Sequence, residues 1–407
     1  YDVEKSWIAP GFSSGFGYLE TVAQSVNSST DPGEYIWNTE IKPIGIAEPD
    51  GTRRALSCVS NTNYGGVYHC LTFGTSDGTY IRFDHVPWIL NPNNSTTPNT
   101  SEYAEATFST TYPNGTKIWY SGGVGEGTER RHYPIMIRDR NGNLIKITYK
   151  NDGTGRIDKI KDTLNREIKF YYENDGNGNP DKLVTVTVPD MSNNELQTVR
   201  FYYDTMSLQT GGFAGVSGAP TPQVTAPATI RVLKYVYFPA TNSGFKYEYH
   251  PYYGMIRKIS RLVGMSVSTN STSTTGTLTE AEDVDPAATT EYSYPNLDGV
   301  SPQSDVPKYE SRTDDWQGRT SQSAQVTDYE EYTEGGENVS RIITHDGENN
   351  ANSVVTETRF GGSGLVSSTA TLIPGQLDNI LAKQTYTWTN RKLTTLVTTN
   401  EAGLSQR

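Results

Sequence analysis

Apolar and polar residues alternate singly along most of this chain. Ile168, Phe170 and Tyr172 share one parity, and Glu167, Lys169 and Tyr171 share the other. Val184, Val186 and Val188 alternate with Thr185 and Thr187, and the rows Val199, Phe201, Tyr203, then Leu233, Tyr235, Tyr237, then Phe245, Tyr247, Tyr249 repeat the arrangement. A period of two is that of a β-strand, whose successive side chains point to opposite faces. No segment carries the 3.6-residue period of an amphipathic helix. Asp77-Gly78, Asn114-Gly115 and Asn141-Gly142 each lead into such a run. These pairs tolerate the positive φ that tight hairpin turns require, so the pattern predicts strands joined by short turns.

The turn-plus-strand unit recurs. Asp139 to Asp162 and Tyr149 to Tyr172 are both 23 residues. Intervals of this size mark stacked supersecondary units that bury their faces against one another. Three stretches are expected. Residues 1–50 form an aromatic, Gly-rich opening segment with Trp7, Gly11-Phe12 and Gly15-Phe16-Gly17-Tyr18. Residues 51–134 form a hairpin region, and 135–407 a repeat array. The array carries loop insertions near 205–228, rich in Gly and Pro, and near 266–286, a Ser/Thr tract followed by Glu280 to Asp285.

Composition sharpens this picture. Hydrophobic residues make up only 34%, and 27 of the 407 residues are Tyr. Tyrosine pairs an apolar ring with a polar tip and suits half-buried strand positions. The aromatic share of 11% at strand spacing argues against disorder for most of the chain. A net charge of −12 repels phosphate backbones, which argues against nucleic-acid binding. No run of 18 apolar residues occurs, so no membrane-spanning helix is expected. The chain opens at Tyr1 with no visible leader, which fits a removed leader or an internal start.

Particular segments resemble a known family. Ile137 to Leu144 with Ile147-Thr148-Tyr149, and Gly155-Arg156-Ile157 to Ile160 with Asp162 to Ile168 and Phe170-Tyr171-Tyr172, resemble the YD repeat of Rhs proteins. Looser matches are Lys246 to Tyr249 with Tyr253 to Ile256, Thr290 to Tyr294, Trp316 to Arg319, and Tyr386-Thr387-Trp388. Clear matches cover roughly 135–260, with weaker ones from 50 to 407. The resemblance implies an all-β fold, a spiral sheet of hairpin repeats forming all or part of a hollow shell or elongated array. Similar shells occur in bacterial Rhs proteins, insecticidal toxin complexes and teneurins. In bacteria they often enclose a C-terminal toxin released by aspartate-dependent self-cleavage. The cleavage signature is absent here, since the one Asp-Pro-Gly lies at Asp31-Pro32-Gly33, so no catalytic residue carries over.

Little else points to chemistry. Cys58 and Cys70 flank the turn Asn63-Tyr64-Gly65-Gly66, and a hairpin disulfide is the expectation, with two separate thiols as the alternative. Closing so short a loop stabilises by about 3 kcal/mol at most. The histidines His69, His85, His132, His250 and His345 lack metal-ligand spacing, so no metal or cofactor is expected. Asp139-Arg140-Asn141-Gly142-Asn143 resembles the start of a calcium loop, but the twelfth position is Lys150 where a Glu is needed, so it reads as a turn. Asp175 to Asn179 reads as a hairpin connection, and Glu280 to Asp285 as an acidic loop with a weak calcium alternative. Trp119, Trp316 and Trp388 are candidates for stacking on sugars, with packing between strands as the favoured reading. Sequons place candidate glycosylation at Asn27, Asn93, Asn94, Asn99, Asn114, Asn270 and Asn338.

The function expected is a non-enzymatic, extracellular structural scaffold. Its partners would be the remainder of a longer parent chain, or copies of itself joined through open β-edges. A glycan- or surface-binding adhesin is the alternative, and a carbohydrate-active enzyme with a carboxylate pair comes third. An exposed row of tryptophans on one strand face would favour the adhesin. At the C-terminal end, Tyr386, Trp388, Leu393 and Leu396 are expected to lack covering neighbours.

Overall fold

A computed structural model describes residue 12 and residues 15–25, 39–49, 52–64, 67–75, 79–85, 108–121, 129–152, 155–174, 180–208, 228–252, 254–267, 278–279, 286–295, 308–316, 324–346, 349–373, 376–389, 392–400 and 405–406. Among them the regular structure is β, apart from one 3₁₀ turn at Pro239–Thr241. The chain divides into two compact units, 1–200 and 201–407, with the division inside the strand Glu195–Leu208.

In the first unit seven strands pair antiparallel in chain order. They are Tyr18–Ser25, Thr39–Ala47, Arg53–Tyr64, Val67–Thr75, Arg82–His85, Phe108–Thr111 and Lys117–Tyr120. The stretch Glu129–Arg138 then fills an eighth position. Its first half pairs with the first strand, Leu19 opposite His132, and its second half pairs with the seventh, Ile137 opposite Ile118. The ladder thus closes on itself. Each of the seven strands supplies a large side chain to one cluster: Leu19, Ile46, Leu56, Phe73, Phe83, Phe108 and Tyr120, joined by Ile81. Burying each such side chain stabilises by about 1.5–3 kcal/mol, and together they fill the ring with a packed core.

The strand Pro134–Arg138 also pairs outward with Leu144–Tyr149, and from there the hairpins run on. Ile157–Asp162, Glu167–Asn174, Pro180–Pro189 and Glu195–Leu208 follow in sequence, each antiparallel to the one before. Tyr133 sits where ring hands over to hairpins. Its ring packs edge-on to Tyr18 at 6.1 Å and tilted to Tyr149 at 5.5 Å. Gly155, at φ +76°, lies under it, and a Cβ there would fall 2.2 Å from the Tyr133 ring.

The second unit continues the same construction. Ala228–Phe238, Ser243–Tyr249, Ile256–Val263, Ala288–Ser293, Ser311–Trp316, Gln325–Glu334, Glu337–Asp346, Asn349–Phe360, Val366–Ile373, Gln376–Thr389 and Lys392–Asn400 each pair antiparallel with the next. Two expected loops contain strand. Residues 205–208 belong to Glu195–Leu208, and Ser266–Val267 pairs with Leu278–Thr279 inside the Ser/Thr insertion. Residues 209–227, 268–277 and 280–285 lie outside the described residues.

Candidate functional site

The hairpins share a turn that explains their aspartates. Asp139 Oδ1 accepts from the backbone N–H of Asn141 (2.8 Å) and Asn143 (2.9 Å), and Oδ2 from the Asn143 amide (2.8 Å). Asp162 does the same with Leu164 N–H (2.9 Å), Arg166 N–H (3.0 Å) and Arg166 Nε (2.7 Å). Asp190 repeats it with Ser192 (2.8 Å), Asn194 (2.8 Å) and the Asn194 amide (3.2 Å). The fourth residue of each turn takes the left-handed conformation: Gly142 at φ 90°, Asn165 at 65° and Asn193 at 67°. Glycine and asparagine are the residues that adopt it at least cost. Both oxygens of each carboxylate are engaged by the turn, which holds all three carboxyls below the usual range.

An aromatic donor pins the other end of the hairpins. The Tyr149 hydroxyl donates to Pro134 O (2.6 Å), Tyr172 to Ile157 O (2.8 Å), Tyr249 to Leu233 O (2.6 Å) and Tyr294 to Ile256 O (2.8 Å). Trp388 Nε1 donates to Val366 O at 2.6 Å in the same way. Each acceptor lies on the strand that pairs with the donor's own hairpin strand. Burial is the main cause raising the hydroxyl pKa values of Tyr149 and Tyr172, so both remain donors at neutral pH.

Between these turns and pins, the first unit presents a cationic sheet face. Side chains opposite one another in register point the same way. Lys117 lies opposite Arg138, Lys146 opposite Lys161, and Lys159 opposite Lys169. From one pair to the next the rows step along the strands, so six cations run diagonally across five neighbouring strands. Lys159 and Lys161 share Glu167 at 3.3 and 4.0 Å, and Lys169 meets Glu195 at 2.5 Å. That hydrogen bond raises the Lys169 pKa and lowers that of Glu195. Tyr171, 39% exposed, donates to the other Glu195 oxygen at 2.5 Å. A shallow polar concavity of about 250 Å³ lies at this end, lined by the ion pair Lys150–Asp158 and by Lys159, Glu167, Lys169, Phe170 and Tyr171, so that lysines and carboxylates alternate around it.

The second unit holds a different charged group. Glu357, almost fully buried, accepts from Arg341 Nη2 (2.9 Å), Arg359 Nε (2.6 Å) and the Tyr332 hydroxyl (3.2 Å). Arg341 also reaches Glu330 (3.2 Å) and Arg359 reaches Glu334 (2.6 Å). Burial works to raise the Glu357 pKa, but the two arginines overcome it and hold the carboxyl below the usual range. The group ties three neighbouring strands together.

The predicted site residues are scattered. The strands Arg53–Tyr64 and Val67–Thr75 form the expected hairpin, with two bulges, and Cys58 lies opposite Phe73 while Cys70 lies opposite Asn61. Cys58 is exposed and no thiol among the described residues is free; the side chain of Cys70 lies outside them. Trp119 is buried at 5% exposure, with Lys117 and Arg138 over its ring at 5.1 and 5.2 Å. Trp316 is 41% exposed, and Trp388 stacks on Tyr386 at 6.5 Å. The three lie on different strands and do not make one exposed row. Asn114 accepts from Thr116 N–H in an exposed turn, and Asn338 is exposed on a strand paired on both sides. Asn27, Asn93, Asn94, Asn99 and Asn270, and the segments Asp175 to Asn179 and Glu280 to Asp285, lie outside the described residues. Leu393 and Leu396 are 47% and 38% exposed, while Tyr386 and Trp388 are half-buried. Among the described residues no group of His, Cys, Asp and Glu is arranged to hold a metal ion, and no helix is long and apolar enough to cross a membrane.

No family model matches the chain, and no curated protein matches it. Similar solved structures are a TcdB2–TccC3 crystal structure without the hypervariable C-terminal region and the pore form of a Photorhabdus luminescens Tc holotoxin with a TccC3 mutation. The first shares 12% identity at a TM-score of 0.29 and covers 95% of this chain; the second shares 11% at 0.23 and covers 89%. A TcdB2–TccC3–TEV structure shares 9% at 0.16 over 89%. The chain spans about a fifth of the length of those chains. The strand pairing itself makes the chain an all-β protein of consecutive antiparallel hairpins.

Proposed function

We propose that this chain is a non-enzymatic structural scaffold, a segment of a larger shell or surface assembly that works in an oxidising exterior. The observation that carries the reading is the repeated aromatic pin, in which four tyrosines and one tryptophan each cap a carbonyl of the neighbouring strand. A device repeated at intervals along a chain serves the lattice of strands rather than one reaction centre. The exposed Leu393 and Leu396 support partners that cover the C-terminal strands, either further strands of a parent chain or another copy.

Sedimentation of the protein over a wide concentration range, alone and with any longer parent polypeptide, tests the assembly. Association that buries Leu393 and Leu396 is expected, and a monomer that never associates in either setting overturns it. A Cys58–Cys70 bond is part of the same reading. Peptide mapping without reductant is expected to recover the two cysteines as one linked pair, and two alkylatable thiols overturn the oxidising-exterior assignment. Release of reducing ends from a panel of polysaccharides would overturn the non-enzymatic assignment.

A further inference from the structure

The fold's own contacts account for only part of the cationic face of the first unit: Lys117 and Arg138 lie over the Trp119 ring, and Lys159, Lys161 and Lys169 share Glu167 and Glu195. Like charges placed directly opposite across strands are destabilising, yet Lys146 faces Lys161 and Lys159 faces Lys169. The local balance is opposite to that of the chain. From Arg130 to Lys169 there are eleven Lys and Arg against five Asp and Glu, in a protein of net charge −12. Among the described residues Lys117, Arg138 and Lys146 have no carboxylate partner, and Lys159, Lys161 and Lys169 have side chains about two fifths exposed.

Geometry makes the six cations a line. They occupy Lys117–Tyr120, Pro134–Arg138, Leu144–Tyr149, Ile157–Asp162 and Glu167–Asn174 in turn. With strands about 4.8 Å apart, the line crosses roughly 19 Å of sheet. At one end it reaches the polar concavity and the exposed ring of Tyr171. A stable protein interface is built around a buried apolar anchor and is depleted in lysine, which this face does not match. Single-stranded nucleic acid needs a row of aromatic platforms, and the tryptophan on this face, Trp119, is buried. A line of cations ending in a small polar hollow beside one tyrosine suits a linear chain of sugars that carries a charge on each unit.

We propose that this face binds an extended anionic polysaccharide, with Lys146 and Lys161 at the centre of the contact and Tyr171 beside a terminal sugar. The contact is electrostatic, so its affinity falls steeply with salt.

The test uses the full chain and three labelled probes of matched length: a sulfated heparin oligosaccharide, an oligogalacturonate and single-stranded DNA, read by fluorescence anisotropy from low to physiological salt. At least one of the two polysaccharides is expected to bind more tightly than the DNA. The double variant K146E/K161E is expected to weaken that binding at least about tenfold and to lower the salt slope by about two. K146R/K161R is expected to retain it, which separates loss of charge from loss of folding. K392E, on an exposed strand of the second unit, is expected to leave it unchanged. The proposal is overturned if neither polysaccharide binds at low salt, if DNA binds equally well, or if K392E weakens binding as much as K146E/K161E.

Discussion

Tyr172 and His132 each bring a polar atom out of water, with different consequences. The Tyr172 hydroxyl satisfies the Ile157 carbonyl, so removing it leaves a part-buried acceptor without its donor. Tyr172→Phe is expected to lower the denaturation free energy of the first unit by about 1 kcal/mol. Tyr171→Phe, on the exposed side of the same strand, should change it by no more than about 0.5 kcal/mol. Urea titrations of both variants check the contrast, and equal losses would count against the pin. His132 is 2% exposed, with Nδ1 3.0 Å from Ser121 O, Nε2 2.9 Å from the Thr21 hydroxyl and its ring edge-on to Phe108 at 4.6 Å. In the neutral ring Nδ1–H donates to the carbonyl and Nε2 accepts from Thr21. Burial is the main cause holding its pKa below the ordinary value, and Arg130 adds to it. On acidification the unfolded chain therefore takes up the proton first. This stabilisation is complete above about pH 6.5 and is lost as pH falls towards the folded-state value. The denaturation midpoint of the first unit is expected to drop between pH 7.5 and 5.5, and His132→Gln should reduce that drop. An unchanged pH dependence in the variant would remove His132 as the cause.

Among strands, the Glu357 group links three neighbours of the second unit. Glu330, Arg341 and Glu357 stand in one row across three strands, and Arg359 and Glu334 extend it. Glu357→Gln would leave two arginines without their shared carboxylate, with an expected loss on the order of 3 kcal/mol in denaturant. Because the native carboxyl is held below the usual range, its contribution is present above about pH 4.5 and lost as pH falls below it. The variant should therefore differ from the parent most at neutral pH and least near pH 3; a constant difference across that range would show that charge is not the cause. The rows Ile168, Phe170, Tyr172 and Val184, Val186, Val188 were legible because alternation is a local signal, and both fall in observed strands. The turns were legible in part. Asn141-Gly142 marks a turn, but only Gly142 takes positive φ, and the loop is closed by Asp139 rather than by the pair itself. The 23-residue spacing relates the turn at Asp162 to that at Asp139 although it lacks glycine, but the turn at Asp190 falls outside that spacing, and an Asp followed three residues later by Asn was its available signal. The cationic line was not legible either, because it appears only when the register places lysines from different strands side by side.

At the scale of the whole molecule, two compact units imply separable stabilities. Calorimetry of the full chain is expected to show Glu357→Gln shifting one transition and Tyr172→Phe shifting another. A single transition moved by both would show that the units melt as one. The ring of the first unit was invisible to sequence periodicity, since the contact that closes it joins residues 111 apart, Thr21 and His132. That separation also sets a timetable. Bringing distant segments together costs chain entropy before any contact rewards it, so the neighbouring hairpins have the faster route. The strand Tyr18–Ser25 can pair with Thr39–Ala47 early, yet its other edge waits until Glu129–His132 has been synthesised and positioned. In pulse-labelled refolding, the amides joining Leu19–Val22 to Glu129–His132 should gain protection after those of the Lys117–Arg138 hairpin. The last step of folding in this unit would then be a seam drawn shut between two strands that leave the ribosome more than a hundred residues apart.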